Sequence, residues 1–120
     1  MKLVKLHNLQ VSDAQLFADL ANDSRISQNT SDRFPYPYTL EDAMFFIENI
    51  ANKEPKSVFG IAYGGEIIGG IGLHFRDDIY RKTAELGYWV APEFWGKGIA
   101  SEAIRLILDL GFSKFDLQVV

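Results

Sequence analysis

Gly96, Lys97 and Gly98 stand directly ahead of an amphipathic run, and those residue types in that place suit the holding of a phosphate or diphosphate. From Ile99 the apolar positions recur at Ile99, Ala100, Ala103, Ile104, Ile107, Leu108 and Gly111, with Ser101, Glu102, Arg105 and Asp109 on the opposite side. This spacing predicts an amphipathic helix of about three turns. The first turn of a helix leaves backbone N–H groups without internal partners, and the positive end of the helix dipole favours an anion there. Glycines let that anion approach the backbone closely, and Lys97 adds a charge at the edge. The plainer alternative is that the glycines only make the turn that opens the helix.

The kind of loop narrows the chemistry. No Gly-x-x-x-x-Gly-Lys-Ser/Thr string occurs, which argues against a nucleoside-triphosphatase loop. Gly96-x-Gly98-x-x-Ser101 approaches a dinucleotide fingerprint, but the third glycine is missing and residues 91–95 separate Val90 from Gly96, where a Rossmann turn is tighter. Residues 84–90 carry Leu86, Tyr88, Trp89 and Val90 without helical spacing and predict a strand, stopped by Pro92. Strand, glycine turn and helix are therefore the unit that the rest of the chain must position.

The string Glu85-Leu86-Gly87-Tyr88-Trp89-Val90 followed by Phe94-Trp95-Gly96-Lys97-Gly98-Ile99-Ala100-Ser101-Glu102-Ala103 resembles the acetyl-CoA loop of the GNAT superfamily of N-acetyltransferases. It is most similar to the ribosomal-protein N-terminal (alanine) acetyltransferase branch. The superfamily pattern is Gln/Arg-x-x-Gly-x-Gly/Ala. Gly98 and Ala100 match it, Trp95 stands where Gln or Arg is usual, and Trp-Gly-Lys-Gly is itself typical of that branch.

The resemblance implies an α/β (α+β) fold with a mixed, mostly antiparallel central sheet flanked by helices, and acetyl-CoA as cofactor. It implies that the backbone of Tyr88, Trp89 and Val90 pairs with the pantetheine amides, one N–H there polarising the acetyl carbonyl. Trp95, Gly96, Lys97, Gly98, Ile99, Ala100 and Ser101 would offer amides, and Ser101 its hydroxyl, to the diphosphate. For a base, Glu85 comes first: a carboxylate inside an otherwise apolar strand, whose pKa burial raises, taking a proton through water. The alternative is a solvent-facing or salt-bridged glutamate. His74 on the neighbouring strand is the second candidate, or else structural. No metal is required. The expected activity is direct acetyl transfer to a primary amine, a protein N-terminus or a small-molecule amine; the alternative is a catalytically silent module that binds CoA or self-associates.

Family members ordinarily continue past the last strand with a further helix and a closing hairpin, where the usual thiolate-protonating tyrosine or serine lies. These 120 residues are accordingly expected to form a single partial domain lacking those parts. Residues 115–120 are expected to be a strand lying parallel to 84–90 after a right-handed crossover. Its edge, with Leu117, Val119 and Val120, would pair with a second copy to give a homo-oligomer.

Composition sets outer bounds. With 48% apolar residues the chain can build one core. A net charge of −4 and a pI of about 5.1 give no footprint for nucleic acid or an anionic membrane. The absence of cysteine rules out disulfides and thiolate chemistry. No stretch approaches the roughly 20 apolar residues of a membrane span, and the first ten residues are too polar for a signal peptide, so a cytoplasmic location is expected.

The remaining elements follow from local signals. Residues 3–6 read as a short strand. Ser12 and Gln15 form a capping box opening a helix, with Val11 and Leu16 as its staple and Leu16, Phe17 and Leu20 as its apolar stripe. A short helix is expected near residues 23–28. Residues 32–38 form an extended loop whose Phe34, Tyr36 and Tyr38 either roof the core or line a pocket wall; the resemblance favours the wall. Thr39 and Asp42 cap a helix with Met44, Phe45, Ile47, Ile50 and Ala51 facing the core. Residues 57–63 and 66–75 make a hairpin about Gly64-Gly65, in which Gly69, Gly70 and Gly72 mark a bulge, a close backbone approach or a bend. Residues 76–82 are expected to connect it to the next strand.

Overall fold

The computed structural model describes residues 3–28, 36–52, 57–77 and 82–114. Four strands, β1 (Val4–His7), β2 (Val58–Tyr63), β3 (Glu66–Asp77) and β4 (Lys82–Val90), form one sheet in the order β1-β2-β3-β4, each antiparallel to its neighbour. Gly64 and Gly65 both take positive φ, as a two-residue hairpin turn requires. The helices are α1 (Ala14–Ala21), α2 (Ser24–Gln28), α3 (Leu40–Phe46, continued by a wider turn over Ile47–Ala51) and α4 (Ile99–Lys114).

Alternation along the strands divides the apolar residues between two cores. One face packs Val58, Ile67 and Trp89 under α1 and α3, around Leu9, Phe17, Ala43 and Ile47; the other packs Phe59, Ile61, Ile71, Leu73 and Val90 under Ile99, Ala103 and Ile107 of α4. Phe17 anchors the first core, 1% exposed, with its ring stacked on Phe46 at 5.6 Å and edge-on to Trp89 at 5.1 Å and Tyr38 at 6.2 Å. The glycines of β3 make room for this packing. A Cβ on Gly70 would stand 3.2 Å from Phe17 and 3.0 Å from the Trp89 indole nitrogen, and one on Gly72 would stand 2.8 Å from Val58. The β2–β3 register shifts at Ile61/Ala62, so both a bulge and a close approach are present.

Several local expectations are corrected. The first helix opens through Gln10 and Asp13, not Ser12 and Gln15: the Gln10 N–H donates to the Asp13 carboxylate at 2.9 Å, and His7 of β1 lies 3.1 Å from the same oxygen. A short 3-10 turn over Val11–Asp13 precedes α1. The buried side of α1 is Ala14, Phe17, Ala18 and Ala21, three alanines bringing the helix close around the one large ring, which leaves Leu16, and Val11 before the helix, about half exposed. Phe45 is 63% exposed because α3 turns its neighbour Phe46 onto Phe17. Tyr38 roofs the core, while Tyr36 is exposed. The strands β3 and β4 extend to Asp77 and from Lys82, shortening the expected connection. The α4 helix runs for 16 residues, past Gly111, which lies on its buried side. The Thr39–Asp42 capping box forms as expected, with 3.0 and 3.1 Å bonds. Phe34 and the strand expected at residues 115–120, with the edge pairing built on it, lie outside the described residues.

Candidate functional site

The register of the sheet decides which backbone groups β4 has to offer. Ala91 N–H donates to Ile68 C=O at 2.9 Å, and β3 and β4 keep one register from Gly69 opposite Val90 to Asp77 opposite Lys82. Antiparallel pairs alternate between those that exchange hydrogen bonds and those that do not. Counting by twos from Ala91, the backbone groups of Trp89, Gly87 and Glu85 turn to β3, and those of Val90, Tyr88 and Leu86 turn to the outer edge. The other side of β3 agrees: Leu73 N–H donates to Ser57 C=O at 2.9 Å, which commits Leu73, Ile71 and Gly69 to β2 and leaves Gly70, Gly72 and His74 for β4. No other described strand lies on the outer edge. Of the trio named from sequence, Tyr88 and Val90 therefore face outward, while the Trp89 backbone is taken up in the ladder and its ring is buried against Phe17.

Beyond Val90 the chain makes a short 3-10 turn at Pro92–Phe94 and then reaches the glycine turn. Gly96 and Gly98 have φ of +78° and +76°, left-handed geometry that disfavours a side chain, and a Cβ at either would meet nothing within 4 Å. The space beside the backbone there is open. The first internal bond of α4 is Glu102 N–H to Gly98 C=O at 3.2 Å, so the N–H groups of Ile99, Ala100 and Ser101 precede it and have no intrahelical acceptor. Ile99 is buried at 3% and seats this helix end on the sheet, whereas Ser101 is exposed beside the turn. Lys97 Nζ lies 5.7 Å from the centre of the Phe94 ring, which itself meets Tyr63 edge-on at 6.0 Å. Glu102, an acid in the first turn, would oppose an anion. Its carboxylate is instead engaged by the Arg105 guanidinium at 3.1 Å, which holds its pKa below the usual value, and Arg105 also reaches Asp109 at 3.0 Å. Outward strand amides and an open glycine turn at a helix N-terminus fit an extended ligand carrying amides at one end and a diphosphate at the other.

Sequence reasoning did not find the role of the Trp95 side chain. Its indole N–H donates to Val90 C=O at 2.7 Å, tying the loop to the strand edge. Such a bond has no local signature, because it depends on how the turn folds back. Of the readings open for Gly69, a bulge, a close backbone approach or a bend, the close approach holds. A Cβ there would lie 2.2 Å from Trp89 O, so this position governs where β4 ends.

The two candidate bases are opposite each other in the β3–β4 register, His74 with Glu85. The His74 side chain is exposed, and its ring lies 3.5 Å from where a Gly87 Cβ would stand. The Glu85 side chain lies outside the described part; along the strand its Cα is about 10 Å from Tyr88 at 3.3–3.4 Å per residue. A cleft of about 400 Å³ opens beside the end of β4, lined by Asp19, Leu20, Asp23, Arg25, Ala91, Pro92 and Glu93. In it the Asp23 carboxylate is held low in pKa by hydrogen bonds from Arg25, at 3.0 and 2.7 Å from its side chain and 2.8 Å from its backbone. No group of three or more His, Cys, Asp or Glu that could hold a metal occurs among the described residues, and no helix there is long and apolar enough to cross a membrane.

Comparison with known proteins gives this geometry its context. Residues 4–120 match the family described as an acetyltransferase (GNAT) domain. A putative ribosomal N-acetyltransferase, YdaF, of Bacillus subtilis (strain 168) is 44% identical over 61 residues, covering 51% of this chain and 33% of that protein. The spermidine N(1)-acetyltransferase of Escherichia coli (strain K12) is 27% identical over 114 residues, 95% of this chain and 60% of that protein. The chain thus spans less than two thirds of these relatives. Among solved structures, RimL, a ribosomal L7/L12 alpha-N-protein acetyltransferase in complex with coenzyme A, superposes with a TM-score of 0.79 at 19% identity, over 96% of this chain and 67% of RimL. The microcin C7 self-immunity acetyltransferase MccE, in complex with acetyl-CoA and AMP, superposes with a TM-score of 0.73 at 29% identity, over 92% and 64%. The antiparallel sheet flanked by helices is the arrangement these neighbours share with it. The family match runs across the strand edge and the glycine turn alike, and the chain belongs to the GNAT acetyltransferase domain family.

Proposed function

We propose that this chain binds acetyl-CoA and serves an N-acetyltransferase that acts on a primary amine, a protein N-terminus being the first acceptor class to try. The observation that carries the reading is the juxtaposition of two anchoring places: the outward backbone of Tyr88 and Val90, and the Gly96–Gly98 turn at the start of α4. Relatives named as a ribosomal N-acetyltransferase and a spermidine N(1)-acetyltransferase support the amine class without choosing between its members.

Bound there, acetyl-CoA supplies a thioester-activated acetyl group. The protein's part is to hold still, to donate a hydrogen bond where negative charge develops, and to take a proton. The Val90 and Tyr88 N–H groups, fixed in a sheet, are preorganised donors that need no rearrangement during reaction. The N–H groups of Gly98, Ile99, Ala100 and Ser101, with Lys97 at the rim, receive the diphosphate. Glu85 accepts the amine proton through water, since its Cα is too far along the strand for direct contact with a group at Val90, and His74 opposite it is the second candidate. The cleft lined by Asp19, Asp23 and Glu93 adjoins the same end of β4 and is the approach for the amine; its carboxylates outnumber the single Arg25, which favours a cationic acceptor.

Calorimetric titration of the chain with acetyl-CoA, with NAD as control ligand, tests the reading. Saturable binding of acetyl-CoA alone is expected, abolished by Gly98→Trp, whose indole would fill the open space beside the turn. Absence of heat with acetyl-CoA, or equal binding of NAD, sinks it. Release of free thiol on adding a peptide with an unblocked N-terminus then separates an enzyme from a silent CoA binder.

A further inference from the structure

We propose that Trp95 is a positioning residue, whose indole N–H on the Val90 carbonyl fixes the spacing between the two anchoring places of the donor ligand. The proposal rests on the acetyl-CoA reading above and adds how the two halves of that site are kept in register. Three observations carry it. The Trp95 Nε1 to Val90 O distance is 2.7 Å, short for an N–H···O bond, and the carbonyl it takes is one that faces the outer edge of β4. The indole is 46% exposed, so burial in a core does not explain where the ring sits; the hydrogen bond does. The span it closes is otherwise bonded on itself, with Phe94 N–H to Ala91 O at 2.9 Å, Trp95 N–H to Pro92 O at 3.1 Å, and Pro92 fixing one φ. Phe94 fastens the far side of the loop through its edge contact with Tyr63.

A loop so tied presents the glycine turn at one separation from the strand edge. A ligand that touches both places gains from this, because the ordering cost has been met before it arrives. A ligand that touches only the turn gains little. Removing the indole donor therefore weakens the whole ligand and spares its phosphate fragment, a pattern that general destabilisation of the loop does not produce.

The test compares wild type, Trp95→Phe and Trp95→Gln, titrated with CoA and with 3′-phospho-ADP, the fragment that keeps the diphosphate and lacks pantetheine. Phe keeps a ring and loses the donor; Gln keeps an N–H the same number of bonds from Cα. Emission from the buried Trp89 reports whether the Phe variant has kept its core. The Kd for CoA is expected to rise about 3- to 10-fold in Trp95→Phe, the usual worth of one hydrogen bond, with 3′-phospho-ADP unchanged and Trp95→Gln near wild type. An unchanged CoA affinity in Trp95→Phe overturns the proposal, as does an equal loss for both ligands. A Trp95→Gln variant as weak as Trp95→Phe, or weak where the Phe variant does not fold, also overturns it. Failure of wild type to bind CoA removes the acetyl-CoA reading and this proposal together, whereas the other outcomes leave that reading standing.

Discussion

Gly69 is where sheet packing and the donor site meet, and replacing it with alanine should damage both. A Cβ on Gly69 would lie 2.2 Å from Trp89 O, 3.1 Å from Val90 Cα and 3.2 Å from Trp89 C. All three atoms are backbone, so no side chain can swing aside. To bring the oxygen contact out even to 3.0 Å, the end of β4 must move by at least 0.8 Å relative to β3. Forced overpacking of this kind costs about 1–3 kcal/mol, offset by roughly 0.5–1 kcal/mol because alanine loses less chain entropy than glycine in a strand. Because only backbone atoms are met, the upper end of that range applies, and a net loss of about 2 kcal/mol is expected in urea unfolding, with an unchanged m-value. The displaced residues include Val90, which carries both the outward N–H and the carbonyl under Trp95, so CoA affinity should fall by about tenfold or more. Gly70→Ala is the control. Its new methyl meets side-chain atoms, Trp89 Nε1 at 3.0 Å and Phe17 Cζ at 3.2 Å, which yield by small rotations. It should cost about 1 kcal/mol and leave CoA affinity within a factor of two. If Gly69→Ala matches wild type in stability and affinity, or if Gly70→Ala is the more damaging, the claim that Gly69 sets the end of β4 is wrong.

Three further outcomes are expected. Phe17→Ala should cost about 3–5 kcal/mol in chemical denaturation, since it empties the centre of an aromatic cluster joining α1, α3 and β4; a loss under 1 kcal/mol would show that the cluster is not the first core's anchor. Burial, with the Asp42 charge second, pushes the Tyr38 phenol up from 10.0 to about 12. Between those values the unfolded chain gives up its proton first, so stability present below pH 10 should decline, by up to about 2 kcal/mol, as pH rises toward 12. Tyr38→Phe should flatten that decline, and an identical pH profile in the variant would discount the burial argument. Glu85→Gln should lower the acetylation rate about 100-fold while leaving the Kd for CoA unchanged; equal rates would pass the role of base to His74.

Much of this arrangement was legible because its signals are local. The Gly64-Gly65 turn, the Thr39–Asp42 box, the stop at Pro92 and the 3.6-residue periodicity from Ile99 each depend on a few neighbouring residues. The errors fall where two neighbouring residues compete for one inward position. Phe46, packed on Phe17, faces the core where the stripe predicts Phe45, and alanines in place of Leu16 face inward on α1, because the helix can then approach the sheet more closely. Periodicity gives an apolar stripe but not its rotation by one residue; tertiary packing sets that. The Gln10–Asp13 cap won over Ser12–Gln15 for a related reason, since Asp13 can also meet His7 from β1.

The candidate site divides along the same line. The glycine turn could be read from residue types, because left-handed φ and an open approach are properties of glycine itself. Which residues of β4 face outward could not be read, since that follows from the parity of hydrogen bonds across β2, β3 and β4, and one shift of register would exchange Trp89 for Tyr88 and Val90. Parity is held in turn by features without a sequence motif. The bulge at Ile61/Ala62 and the missing side chain of Gly69 let β4 lie where it does, and the Phe17–Trp89 contact keeps the Trp89 side of that strand turned inward. A donor site of this type is therefore recognised by its turn but aligned by its sheet. A substitution in β3 that displaces the backbone of β4, as Gly69→Ala does, should therefore weaken CoA binding although it touches no residue of the glycine turn.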